Sequence, residues 1–185
     1  MPNFATNFEK KPAKYNEKNN TFVTGVVRLN WPALFAPDPR NGKYSAQFII
    51  DGNDINDLDF YRDQVQKAFE RGVQRKWNGK APSRWKDPIH DGDESNDTTG
   101  VYQGNYYFNA KSSDPIPLFD ENGDEVVNAG EIYSGCYVRA VLQAYAYDNQ
   151  SKGVSFALLG VMKVADGESL GNGMRPVITA DAFNF

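Results

Sequence analysis

Residues 137–147, YVRAVLQAYAY, alternate between two kinds of side chain. The first set is uniformly apolar, and the second contains an arginine and three tyrosines: Tyr137, Arg139, Tyr145 and Tyr147. Because successive side chains of a β-strand point to opposite faces, the apolar set should line a core and the other set should face outward. Aromatic rings beside a guanidinium suit an extended single strand of nucleic acid, whose bases stack on rings while cations meet its phosphates.

Other residues of these chemical types could join that outward face. They are Arg28 and Lys43 on the first two predicted strands, Tyr107 and Lys111 on the third, and the basic stretch Arg84, Trp85 and Lys86 in a loop. Some of the tyrosines could instead cover one end of the β-structure or pack beneath a helix. The aromatic pattern alone leaves both interpretations open.

The charges are segregated along the chain, although the formal net charge is only −4. Residues 62–86 contain eight Lys or Arg and two acids, whereas residues 87–131 contain eleven acids and one Lys. Because electrostatic interactions are screened beyond a Debye length of roughly 10 Å, a local basic face can bind phosphates on a net-acidic protein. A solvated helix face followed by acidic loops would produce the same pattern.

A second kind of chemistry is suggested by the loop RWKDPIHDGDE, residues 84–94. Here His90, Asp91, Asp93 and Glu94 could hold a divalent metal for hydrolysis, as in a nuclease. These residues are adjacent in a loop that contains Gly and Pro, whereas metal catalysis needs ligands that converge on a rigid scaffold. We therefore favour a solvated turn, and keep the metal-dependent nuclease as an alternative.

No other motif indicates a cofactor or a metal. Residues 120–124, DENGD, resemble part of a calcium loop but have Glu125 where that loop needs glycine, so they predict a hairpin turn. A single cysteine, Cys136, excludes an internal disulfide, and with one histidine the chain lacks a Cys/His zinc set. We expect Cys136 to be a small buried residue. The sequence therefore predicts a protein with no catalytic residues, metal or cofactor.

Periodicity predicts a mainly β protein with one helix. Alternating or β-branched runs predict strands over residues 21–31, 43–51, 103–111, 137–147 and 153–164, with loops at 32–42 and 80–102. Apolar residues at three- and four-residue steps predict a helix over about 54–77, begun by Asp54 as N-cap. Its apolar stripe is Ile55, Leu58, Val65, Phe69, Val73 and Trp77. A helix inserted after the second strand fits a small β-barrel.

The chain divides into a flexible arm at residues 1–20, one domain at 21–171, and a tail at 172–185. No apolar run approaches the roughly 20 residues that a membrane-spanning helix needs, and the first 20 residues lack a signal-peptide pattern. One cysteine fits a reducing compartment. We expect a soluble, unsecreted protein with no membrane partner.

Several segments resemble a family of tailed-phage single-stranded-DNA-binding proteins. They are GVVRLNWPALFAP (25–37), GKYSAQFIID (42–51), KWNGKAP (76–82), HDGDE (90–94), YQGNYYFNAKS (102–112), EIYSGCYVRAVLQAYAYDN (131–149) and DGESLG (166–171). They occur in order over nearly the whole of residues 25–171, and the run that begins EIYSGCYVR is the most specific.

This resemblance implies an OB-fold, a five-stranded antiparallel barrel with one inserted helix and long loops. It also implies sequence-tolerant binding of single-stranded DNA in phage replication or recombination, in the cytoplasm of the infected bacterium. Related proteins recruit replication partners through an acidic tail that ends in an aromatic residue. This chain ends in Phe185 but carries one acid in its last five residues. A structural phage protein whose aromatic face binds another protein is a further alternative.

Overall fold

In a computed structural model, which describes residues 4, 8–97, 99–170 and 180–183, the chain is mainly β with one α-helix. The helix α1 is Ile55–Arg75. The strands are β1 Lys14–Asn16, β2 Thr21–Val23, β3 Val27–Asp38, β4 Lys43–Ile50, β5 His90–Asp91, β6 Tyr106–Ser112, β7 Leu118–Phe119, β8 Tyr137–Asp148 and β9 Lys152–Ala165. The described residues thus form a sheet of nine strands, where five were expected.

The strand pairings run in a circuit. β8 pairs with β3, β3 with β4 and β4 with β6, each antiparallel. β9 then pairs antiparallel with β8 and parallel with β6. The expectation of a wholly antiparallel arrangement is therefore wrong. An odd number of strands in a circuit cannot alternate in direction throughout, so at least one neighbouring pair must be parallel.

Phenylalanines from four strands meet in the centre of the core. Phe156 lies 4.9 Å from Phe108 and 5.8 Å from Phe22 between ring centroids, and Phe48 stacks on Phe108 at 5.2 Å. Each of these side chains is at most 1% exposed. The predicted alternation is confirmed in β4, β6 and β8, since the residues expected to face inward are buried there, apart from the partly exposed Tyr44 and Tyr106 at the strand ends.

The helix begins close to the predicted residue, and Leu58, Val65 and Trp77 of the predicted apolar stripe are buried, but the buried face is wider than predicted and does not include the first residue of the stripe. Ile55, expected in the apolar stripe, is 62% exposed, whereas Tyr61, Ala68 and Gly72 are buried against the sheet. Asp54 makes no side-chain cap, because its carboxylate accepts a hydrogen bond from Lys10 Nζ at 2.9 Å. In the described part of the chain, no helix has both the length and the apolar character needed to cross a membrane.

The segment expected to be a flexible arm makes defined contacts between residues 10 and 16. β1 pairs with β2, which in turn pairs with β8. Arg139 donates to the Pro12 carbonyl at 3.0 Å and to the Thr24 carbonyl at 2.9 Å. This segment therefore covers part of the outward face of β8. At the other end, most of the 172–185 tail, including Phe185, lies outside the described residues.

Arg28 is a structural residue, although the sequence predicted it on the binding face. Its side chain is only 2% exposed. Its guanidinium donates to the backbone oxygens of Gly135, at 3.1 Å, and Glu168, at 2.7 Å, and lies 5.6 Å from the ring centre of Tyr137. Arg28 thus ties β3 to the turn before β8 and to the segment after β9.

We expect Arg28→Ala to lower the free energy of unfolding by about 2–4 kcal/mol, because buried carbonyls lose their donor and a cavity remains. Urea denaturation measures the change. Arg84→Ala removes the same side chain from an exposed loop position and should stay within about 0.5 kcal/mol of the parent. Equal stability of the two variants would contradict a structural role for Arg28.

Gly72 allows the helix to approach β8 closely. A Cβ atom at this position would lie 2.5 Å from Cβ of Ala146 and 2.9 Å from the Trp77 ring. Alanine gains about 1 kcal/mol in helix propensity, but overpacking costs about 1–3 kcal/mol. We expect Gly72→Ala to destabilise the protein in thermal denaturation. Gly130→Ala is the control, since its new Cβ would meet only Asn128 Oδ1, at 3.4 Å; a stabilised Gly72→Ala variant would refute this packing.

Candidate nucleic-acid interface

A groove lined by three lysines and two tyrosines crosses one side of the sheet. Its volume is ≈ 620 Å³. Besides the polar residues Asn149, Gln150, Ser151 and Ser155, it is lined by Lys43, Lys86, Lys111, Tyr145 and Tyr147. We call this space the basic groove. It carries positive charge without a carboxylate among its lining residues, on a chain whose net charge is negative.

Strand register brings the residues of the basic groove together. Lys111 of β6 is paired with Ser45 of β4, two residues beyond Lys43. On the other side, Tyr145 is paired with Ser155 and Tyr147 with Gly153. Sequence reasoning placed these side chains on outward faces, and the pairings among β4, β6, β8 and β9 explain why they converge.

Lys86 reaches the groove because its backbone joins the start of β9. Its N–H donates to the Lys152 carbonyl at 2.9 Å, and its carbonyl accepts from Val154 N–H at 3.1 Å. Gly153 is needed at this junction, because a Cβ atom there would lie 2.6 Å from Tyr147 Oη and 2.7 Å from the Lys86 carbonyl oxygen. A larger residue would push apart the two sides of the groove.

Trp85 supports the groove from below, whereas the sequence predicted it as part of the DNA path. Its ring is partly buried, 4.9 Å from Phe69, and Phe69 lies 5.2 Å from Trp77. Trp77 donates its indole N–H to the Tyr147 carbonyl at 3.3 Å. The aromatic residues at the end of α1 therefore hold both Lys86 and Tyr147 in position. Arg84, by contrast, is exposed.

Two residues of β8 predicted to face DNA are already engaged within the protein. Tyr137 is 2% exposed, and the rings of Phe4 and Phe8 lie 5.8 Å and 4.9 Å from it. Arg139 is held by its hydrogen bonds to the carbonyls of Pro12, in the N-terminal segment, and Thr24, which follows β2. Alternation correctly predicted their face of the strand but could not reveal that Phe4, Phe8 and Pro12 lie over it.

Tyr107 lies on the outward face of β6 but outside the basic groove. Its ring centroid is 5.0 Å from those of His90 and Tyr102. On this face Asn109 separates it from Lys111. Tyr107 therefore lies on the part of the outward face of β6 that extends beyond the basic groove.

Trp31 is an exposed aromatic residue that the sequence analysis did not select. It is 57% exposed and has a left-handed backbone, with φ of 47°, beside an irregularity in the β3–β4 register. Such a conformation costs about 1–3 kcal/mol in a residue other than glycine, and this kind of strain is concentrated at functional sites. The sequence predicted a loop from residue 32, but β3 continues to Asp38. The sequence feature that could have identified Trp31 is its position next to Pro32, within a run of β-forming residues.

In the loop at residues 84–94, the carboxylates of Asp91 and Asp93 accept hydrogen bonds from nearby backbone N–H groups. Asp91 accepts from the N–H of Asp93 at 2.9 Å, and Asp93 accepts from the N–H of Gly104 at 2.8 Å. No group of three or more potential metal ligands occurs among the described residues. The carboxylates of Asp91 and Asp93 therefore stabilise the local backbone. Cys136 is buried as predicted, and burial raises the pKa of its thiol.

Comparisons with known proteins agree on one class. A family model described as Enterobacter phage Enc34, ssDNA-binding protein, matches residues 20–184. Protein p50 of Acyrthosiphon pisum secondary endosymbiont phage 1 is 32% identical, over 80% of this chain and 84% of that protein.

Solved structures share the fold. The single-stranded DNA-binding protein of bacteriophage Enc34 in complex with ssDNA aligns with a TM-score of 0.73 at 21% identity, covering 90% of this chain and all of that one (100%). The bacteriophage T7 single-stranded DNA-binding protein gp2.5 aligns with a TM-score of 0.63 at 15% identity, covering 85% and 98%. With a family model matched over residues 20–184, the chain belongs to the Enc34-type family of phage single-stranded-DNA-binding proteins.

Proposed function

We propose that the protein binds single-stranded DNA in the basic groove, without strong sequence preference and without catalysing a reaction. The observation that carries this proposal is the convergence of Lys43, Lys86 and Lys111 on Tyr145 and Tyr147. The lysines neutralise phosphates, and the tyrosine rings stack on bases. Every base has an aromatic face, so stacking tolerates any sequence.

This arrangement favours single strands over duplexes. In a duplex the base faces are already stacked on one another, so the tyrosine rings would have only the backbone to contact. The lysines would still attract duplex phosphates. We therefore expect weak, salt-sensitive duplex binding and much tighter binding of a single strand.

The bound strand continues from the groove across the outward face of β4 and β6 toward Trp31. Lys111 and Ser155 line both the basic groove and the adjoining space that contains Trp31. We interpret the circuit of β3, β4, β6, β9 and β8 as an OB-type barrel, with the other strands attached to it. The path then joins the loop between β8 and β9 to the hairpin between β3 and β4, as in OB-fold recognition.

The family supports a proposal for the biological setting. The Enc34 protein has a solved structure in complex with ssDNA, and both structural relatives are phage single-stranded DNA-binding proteins. We propose a corresponding role here in phage replication or recombination, in the cytoplasm of the infected bacterium. Contact with replication proteins through the tail that ends in Phe185 is part of the same proposal.

Salt titration tests the lysines. For wild-type protein and fluorescent oligo-dT, the affinity should fall linearly in a plot of log K against log salt concentration. Lys111→Gln should weaken binding and make the slope shallower by about 0.7, because one phosphate contact is lost. Lys11→Gln is the matched control, since Lys11 is exposed beside Asp54 and Asp57. Equal slopes for Lys111→Gln and wild type would remove Lys111 from the DNA path.

Tyr145→Ala tests the stacking contribution separately. Tyr145 is 36% exposed, and its removal should weaken oligo-dT binding by about 1–3 kcal/mol, roughly fivefold or more. The salt slope should stay unchanged, since no phosphate contact is lost. Leu159→Ala removes a comparably exposed side chain, at 40%, from neighbouring β9 and should bind normally. A Tyr145→Ala variant with wild-type affinity would exclude this ring from the site.

A further inference from the structure

The space between Trp31 and the strands β4 and β6 is a distinct pocket, with a volume of ≈ 310 Å³. We call it the Trp31 pocket; Trp31, Gln47, Asn109 and Lys111 are among its lining residues. Its size is at the lower end of the range for small-ligand sites. We infer that it holds one base of the bound strand, and that Gln47 donates a hydrogen bond to a carbonyl oxygen of that base. This inference rests on the proposed function.

The Gln47 side chain is fixed by a buried network. Its Oε1 accepts from Asn30 Nδ2 at 3.2 Å and also from the Tyr102 hydroxyl. Asn30 Nδ2 donates to the same hydroxyl at 2.9 Å. Burial raises the pKa of Tyr102, and hydrogen bonds from the side chains of Trp31 and Asn30 oppose that rise. An amide oxygen has two lone pairs, so the acceptor capacity of Gln47 is fully used.

The backbone of Trp31 sets the direction of this network. Its N–H donates to Asn30 Oδ1 at 3.1 Å, and a backbone N–H can only donate. The Asn30 oxygen must therefore face Trp31, which leaves its NH₂ group facing Gln47 and Tyr102. A flipped Gln47 would bring two NH₂ groups together, so Gln47 must present its oxygen to the network.

The NH₂ group of Gln47 consequently reaches the pocket. Within the described residues, the Gln47 Nε2 atom makes no hydrogen bond. Every buried side-chain nitrogen or oxygen there has a hydrogen-bond partner, so Nε2 is not buried and is accessible from the pocket. Asp38 also lines the pocket, but both its carboxylate oxygens are engaged by Arg40, which holds the pKa of Asp38 below its usual value. Gln47 thus offers a donor and no free acceptor.

A glutamine that can only donate discriminates among bases. Adenine is usually recognised by the oxygen and the NH₂ of one amide together, on N6 and N7. Gln47 cannot recognise adenine in this way, because its oxygen already accepts hydrogen bonds from Asn30 and Tyr102. A single donor matches a base carbonyl, such as O4 of thymine or O6 of guanine. It can also meet N7 of adenine, but the neighbouring N6 amino group is then left without an acceptor on Gln47, so a base with a carbonyl is favoured. The exposed Trp31 indole beside it supplies a surface for stacking.

The test compares the affinities of oligo-dT and oligo-dA of equal length for each variant. Gln47→Glu replaces the donor with an acceptor of the same shape, and should lower the dT-to-dA affinity ratio about three- to tenfold relative to wild type. Asn149→Asp is the control. It places the same charge in the basic groove and outside the Trp31 pocket, so it should weaken both oligonucleotides equally and leave the ratio unchanged.

An equal loss for both oligonucleotides in Gln47→Glu would overturn the inference and leave the proposed function standing. If thermal denaturation shows that Gln47→Glu is unfolded, Gln47→Met takes its place in the test, because this substitution removes the donor without adding charge. That variant should weaken dT binding more than dA binding, and an unchanged dT-to-dA affinity ratio would count as the same refutation. If wild type bound neither oligonucleotide at low salt, the proposed function itself would fail.

Discussion

The structure depends on hydrogen bonding along both edges of β9. One edge pairs with β8 over most of the strand, and the other pairs with β6. These pairings bring Phe156 against Phe22 and Phe108 in the centre of the core. On the outward side the same strand contributes Ser155, between the tyrosines of β8 and Lys111 of β6. The core and the basic groove therefore form on opposite faces of one strand, and neither can form unless β9 is in register with both neighbours.

Sequence patterns predicted which face of each strand a residue occupies, but not what covers that face. Alternation placed Tyr145 and Lys111 correctly on outward faces because period two is a local property of the chain. It could not reveal that Tyr137 and Arg28 are covered, since their cover comes from segments far away in sequence. Trp31 was missed for a related reason, because its exposure depends on a backbone irregularity that the periodicity does not encode. The helix and most of its apolar stripe were predictable, whereas the burial of Ala68 and Gly72 was not, because it depends on the close approach of the helix to β8.

The acidic excess of the chain belongs mainly to its turns. Several carboxylates accept a hydrogen bond from the backbone N–H two residues later: Asp38, Asp51, Asp87, Asp91, Asp97 and Asp120. Such turns use aspartate for local geometry, and the negative charge therefore lies in loops. The basic groove keeps a positive local potential because its lining excludes these loops. Net charge is consequently a poor guide to the partner of this protein, whereas the position of each charge in the fold is informative.

The three tryptophans occupy three different environments, and this gives the protein a built-in optical readout. Trp77 is 2% exposed in the aromatic support beneath the groove, Trp85 is partly buried beside it, and Trp31 is 57% exposed. Indole emission shifts to longer wavelength in water, and a dissolved quencher such as iodide reaches only exposed rings. Quenchable red-shifted emission should therefore come mainly from Trp31, and the blue-shifted remainder from the packed pair. Ligand occupancy and the integrity of the fold can then be followed separately in one unlabelled sample.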